Sequence, residues 1–201
     1  MEGRAQGPGP APGEPAADPA PQILTIGHST RAVDDLLDLL GQHGCRTVVD
    51  VRSLPYSRRN PQFNREALAA ALRARGIAYL HCRSLGGFRR PSDPAGSANR
   101  GLSNERFRAY ADHMQTREFA EAIFRLIEIA GAGRCAVFCA EAVPWRCHRS
   151  MIADALVARG CRVLHVIGRG APLGHRLREG ARVTEGTVSY PADPGQQRLD
   201  V

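Results

Sequence analysis

Short apolar runs alternate with stretches of helical period along most of the chain, and this alternation restricts the fold more than any other feature of the sequence. Strand–helix–strand units of this kind build a parallel sheet, because each crossover lays a helix on one of its faces. Residues 22–27, Gln-Ile-Leu-Thr-Ile-Gly, read as the first strand. Val33, Leu36, Leu37 and Leu40 then share one helix face, with a stop near Gly41–Gly44. Further strands are expected at 46–52, 77–82, 134–140 and 162–167, and further helices from Asn64, around Phe107–Met114, around Phe119–Ile127 and over 146–159. The pattern predicts a single three-layer α/β domain with a mostly parallel sheet of about five strands flanked by helices.

The length of 201 residues fits one domain with tails, since domains commonly run ~100–200 residues. Residues 1–21 hold six Pro, four Gly and five Ala without the apolar stretch of a signal peptide, and read as a disordered leader. The α/β domain is expected over 22–168, and 169–201 reads as an irregular tail packed on it, with a short edge strand at 186–190. No apolar run approaches the ~20 residues that cross a bilayer, so no membrane partner is expected. Six cysteines without the close spacing of a disulfide scaffold fit reduced thiols and a cytoplasmic setting.

All 27 basic residues are arginine, which excludes Schiff-base and phosphate-loop lysine chemistry. The net charge of +7 suits an anionic partner, either a small molecule or nucleic acid. Aromatic residues make up only 5% of the chain, so a stacking platform for single strands is not evident.

Ligands of open parallel sheets bind beyond the carboxyl ends of the strands, where loops and helix N-termini converge. The out-of-place polar residues fall at those ends: His28 and Ser29 after the first strand, Asp50, Arg52 and Ser53 after the second, Cys139 and Glu141 after the fourth. Asp50 and Arg52 are two apart on a strand, project from the same face and can pair. The loop beyond adds Arg58 and Arg59 as anion donors. Residues 83–103 form a long aperiodic loop of the kind used for lids and binding.

The segment from Cys139 to Arg149 leaves a strand, turns at Pro144 and enters a helix with Cys147, His148 and Arg149 near its first turn. A thiolate is favoured at such a place by the helix dipole and unpaired backbone N–H groups. Cys147 is therefore a candidate nucleophile, His148 and Glu141 candidate proton carriers, and Arg149 a candidate anion donor. Cys139 reads as a small core residue, and Glu141 is a possible partner for Arg149. Cys139, Glu141, Cys147 and His148 offer ligand types suited to zinc, but no Cys-x-x-Cys or His-x-x-x-His spacing is present, and no metal set is assigned. No cofactor motif is identified.

Ile26-Gly27-His28-Ser29, Asp50-Val51-Arg52-Ser53 with Ser57 to Phe63, Leu85-Gly86-Gly87, and Cys139-x-Glu141-x-x-Pro144-x-x-Cys147-His148-Arg149 together resemble the bacterial and archaeal family called domain of unknown function 488, over roughly residues 22–190. The resemblance implies a compact α/β domain in a cytosolic protein and brings no reaction with it.

Three functions fit the residues. The first is an enzyme on a phosphate-bearing or otherwise anionic substrate such as a nucleotide or nucleic acid, with Arg52, Arg58 and Arg149 holding the anion and Glu141 and His148 moving protons. The second is a non-catalytic nucleotide- or nucleic-acid-binding module using the same cleft. The third is a thiol redox or metal-binding protein built on Cys147, for which the nearby sequence offers no evident resolving cysteine.

Overall fold

The computed structural model describes residues 20–91 and 93–192; most of the expected leader, and the end of the expected tail, lie outside this range. The strands are β1 (Gln22–Gly27), β2 (Thr47–Asp50), β3 (Ala78–His81), β4 (Cys135–Cys139), β5 (Arg162–Val166), β6 (Leu173–Gly174), β7 (Arg182–Thr184) and β8 (Thr187–Ser189). The helices are α1 (Val33–Gln42), α2 (Arg65–Ala74), α3 (Glu105–His113), α4 (Arg117–Ala132) and α5 (Arg149–Val157). The main sheet runs β3-β2-β4-β1-β5-β6, parallel throughout except for β6, which joins the edge antiparallel to β5. This is the expected α/β domain.

Alternation along the strands feeds two cores. Ile23, Val49, Val137 and Cys139 pack with Phe119, Ile123, Met151 and Ile152 of α4 and α5. Leu24, Ile26, Val48 and Phe138 pack on the other face with Leu36 and Leu40 of α1 and Leu68 and Leu72 of α2. Burying each such side chain contributes about 1.5–3 kcal/mol, which holds the helices on both faces and makes the three layers.

Local differences from the expected elements have physical causes. Asn64 stands at the N-cap of α2, but its side-chain oxygen accepts from Ser57 N–H at 2.6 Å and makes no cap bond. The helix expected from 146 begins at Arg149, because Pro144–Arg146 closes a separate 3-10 turn and Cys147 is extended at φ −135°.

Part of the segment after β5 is fastened to the sheet by a buried polar chain. Thr25 Oγ1 meets His165 Nδ1 at 2.7 Å, His165 Nε2 meets His175 Nδ1 at 2.9 Å, and His175 Nε2 meets Asp154 Oδ1 at 2.8 Å. Tyr190, itself buried, donates to the second oxygen of Asp154 at 2.6 Å. β7 and β8 form a separate two-stranded hairpin.

Candidate functional site

The sheet order brings the chemistry together. β2, β4 and β1 are consecutive neighbours, so the three strand ends that carry His28, Arg52 and Cys139 open onto one rim. A cleft of about 870 Å³ lies there, lined by His28, Ser29, Arg52, Ser53, Cys139, Glu141, Cys147 and His148 among others. Asp50, Arg58, Arg59 and Arg149 are not in its wall.

Asp50 is fully buried and grips Arg52 with both oxygens, Nε at 2.9 and 3.1 Å and Nη2 at 2.6 Å. Tyr79 donates to the same carboxylate at 2.8 Å, and Arg52 Nη2 also donates to the Phe63 carbonyl at 2.8 Å. Arg52 is thereby fixed over the Phe138 ring, with its Nη1 making no bond to a described residue. Arg58 and Arg59 are exposed on the loop beyond.

His28 stacks on Phe63 at 4.3 Å and donates Nδ1–H to the Ser29 carbonyl at 2.8 Å. Burial pushes its pKa below the usual 6.5, which favours a neutral ring with Nε2 as a bare acceptor. Ser29 sits at φ 49°, a left-handed conformation uncommon for a side-chain-bearing residue. Ser53 Oγ accepts from Phe88 N–H at 2.9 Å and so ties the long loop to the end of β2.

The thiol group of the site is tightly built. Cys139 and Cys147 bring their sulfurs to 3.0 Å, and Cys147 Sγ stands 3.4 Å from Nδ1 of His148. His148 Nε2 lies 3.1 Å from the Val51 carbonyl, which can only accept, so Nε2 carries the proton. Nδ1 then faces the sulfur and is placed to receive its proton. The Arg149 N–H approaches Cys147 Sγ at 3.5 Å, and Arg149 Nη1 donates to Cys139 Sγ at 3.1 Å. Two sulfurs this close share one proton: Cys147 is held well below the ordinary thiol range by the hydrogen bond from Cys139, by His148 and by Arg149. Cys139 is held well above it by that same bond and by burial. Burial leaves the other thiols inert by comparison, Cys45 at about 11 and Cys135 at about 12.

Arg149 is 1% exposed and spans the turn after β4, donating Nη2–H to the carbonyls of Glu141 and Ala142 at 3.1 and 3.2 Å. It therefore meets the backbone of Glu141, and the exposed Glu141 carboxylate makes no bond to a described residue. Gly27 is required beside this clamp, since a Cβ there would collide with the Glu141 carbonyl and stand 2.7 Å from Arg149 Nη1.

Several lining residues carried no individual sequence signal. Arg89, Arg106 and Arg146 join Arg52 in the wall, so four arginines and one acidic residue, Glu141, line the cleft. Arg89 is braced by bonds to the carbonyls of Gly86 and Ser84 at 3.1 and 2.7 Å. Tyr56 and Phe88 also line the cleft while 68% and 89% exposed. Cys139 proves to be a core residue and Cys147's partner at once; its position eight residues upstream, where a strand end meets a helix start, was the available signal. No group of three or more His, Cys, Asp and Glu side chains suited to a metal occurs among the described residues. Nor does any described helix have the length and apolarity to cross a membrane.

Fold and site define a mostly parallel α/β protein with a paired-thiol cleft at the carboxyl rim of its sheet. The chain belongs to the family described as Domain of unknown function DUF488, whose model matches residues 32–156. The match is narrower than the motif resemblance: it starts after Ile26–Ser29 and ends within α5. No curated protein and no solved structure matches the chain.

Proposed function

We propose that the chain is an enzyme whose nucleophile is the Cys147 thiolate, acting on an anionic substrate that carries a flat ring, of the nucleotide class. The observation that carries this reading is the Cys147–His148–Val51 arrangement, a nucleophile beside a base that a third group orients. His148 Nδ1 takes the thiol proton, Sγ attacks the electrophilic atom, and the departing group takes that proton from Nδ1. Glu141, at the solvent side with a free carboxylate, is the second proton carrier. The free Nη1 of Arg52 and the arginines 89, 106 and 146 hold the anionic group. Tyr56 and Phe88 supply exposed ring faces for the base, and His28 Nε2 an acceptor for its N–H groups. A reducing, cytoplasmic setting belongs to this reading, since it keeps Cys147 a thiol.

Iodoacetamide tests it. Cys147 should alkylate faster than free cysteine at neutral pH, with a rate that levels off well below the pH at which an ordinary thiol ionises. Adenosine monophosphate should protect it better than adenosine or inorganic phosphate. A Cys147 no more reactive than free cysteine, or equal protection by all three, would refute the proposal.

A further inference from the structure

The cleft holds a second thiol that nucleophilic chemistry at Cys147 alone does not use. Cys139 Sγ lies 3.0 Å from Cys147 Sγ, and both residues line the cleft. The pair has two supports of its own. Arg149 Nη1 donates to Cys139 Sγ at 3.1 Å, and the Arg149 N–H approaches Cys147 Sγ at 3.5 Å. One residue thus fixes both sulfurs, one through its side chain and one through its backbone.

We propose that Cys139 and Cys147 form a dithiol–disulfide couple that reduces a small hydroperoxide entering the cleft, with Cys147 as the attacking and Cys139 as the resolving thiol. The inference rests on Cys147 being the nucleophile and adds a reaction to it. Cys147 Sγ attacks the terminal peroxide oxygen, an S–O bond forms, the O–O bond breaks, and the departing alkoxide or hydroxide takes the proton held on His148 Nδ1. Cys147 is then a sulfenic acid. Cys139 Sγ attacks the sulfenic sulfur, the S–S bond forms, the S–O bond breaks, and the hydroxide leaves as water with the Cys139 proton. Two electrons have passed from the thiols to the peroxide. A dithiol reductant returns them, attacking the disulfide and leaving as its own disulfide.

Three features favour this pair over the remaining thiols. It needs no chain movement large enough to bring distant sulfurs together. Cys147 is 5% exposed and lines the cleft, which gives a small oxidant a route to it. Cys45, Cys82, Cys135 and Cys161, by contrast, do not line the cleft, and desolvation raises the pKa of each.

The test uses the full-length protein and one equivalent of hydrogen peroxide. The expected result is loss of two of the six thiols, a mass lower by two hydrogens, a peptide cross-link between Cys139 and Cys147, and recovery with dithiothreitol. Cys139→Ser should stop at a sulfenic acid on Cys147 that dimedone traps, and Cys147→Ser should form no cross-link. Peptide mapping of the wild-type protein suffices even where a variant fails to fold. Rapid alkylation of Cys147 by iodoacetamide without a Cys139–Cys147 cross-link would overturn this inference and leave the nucleophile standing. Slow alkylation together with no cross-link would overturn both. A disulfide involving any other cysteine also refutes it.

Discussion

Gly87 lies flat against the imidazole of His148, so close that a Cβ at this position would stand 2.8 Å from the ring's Cγ and 2.9 Å from its Cε1. The loop thus leaves no room for a side chain beside the His148 ring, and Tyr110 lies near the ring at 5.1 Å between centroids. Gly87→Ala should displace His148 and shift the pH profile of Cys147 alkylation upward by about one unit. Global stability should change little, because the residue lies on a loop. Parallel rate and urea-melt measurements on the variant check both parts.

Asp50 is the charge on which Arg52 depends. Asp50→Asn removes the negative partner from a buried pair and leaves a guanidinium that is 7% exposed without its countercharge. A loss of about 3 kcal/mol is expected on urea denaturation, within the usual range for breaking a buried ion pair. Tyr79→Phe deletes one hydrogen bond to the same carboxylate, and about 1 kcal/mol is expected.

Arg149 should resist conservative replacement. Its fork bonds two carbonyls and a sulfur at once, a geometry that the single ammonium of lysine cannot reproduce. Arg149→Lys and Arg149→Met should each lose about 2–4 kcal/mol, and in both the alkylation rate of Cys147 should fall toward that of free cysteine. A lysine variant with full stability and full thiol reactivity would show that the fork is dispensable.

Stability should decline in mild acid through His165. Burial, with His175 and Arg149 close by, lowers its pKa from 6.5 to about 4. The unfolded chain therefore binds a proton at higher pH than the folded one does. The stabilising effect is complete above pH 6.5 and is lost as pH falls toward about 4. Melting temperature followed across that window should drop more steeply for the natural chain than for His165→Gln. Equal slopes would refute the assignment.

The strand-end residues were legible because a parallel sheet leaves only its carboxyl rim for polar chemistry; His28, Arg52, Glu141, Cys147 and His148 fall there on pattern alone. Strand order was not, since it is decided by crossovers that no local period records, and the approach of Cys139 to Cys147 depends on the turn as well as the strand. Arg58 and Arg59 had the right chemistry in the loop sequence, yet the path of the loop sets them outside the wall. Arg89 and Phe88 came in through the 83–103 loop, whose length marked it as a binding segment without saying which side chains it would deliver.

β4 lies between β1 and β2 at the middle of the sheet. The carbonyl that orients His148 comes from Val51 beyond β2, and the sulfur that shares a proton with Cys147 comes from the end of β4. Until these distant stretches have docked, Cys147 has neither neighbour and behaves as any cysteine of a newly made polypeptide would. On the proposed reading the reactivity of Cys147 is acquired only on completion of folding, and a thiol-labelling time course would serve as a clock for maturation.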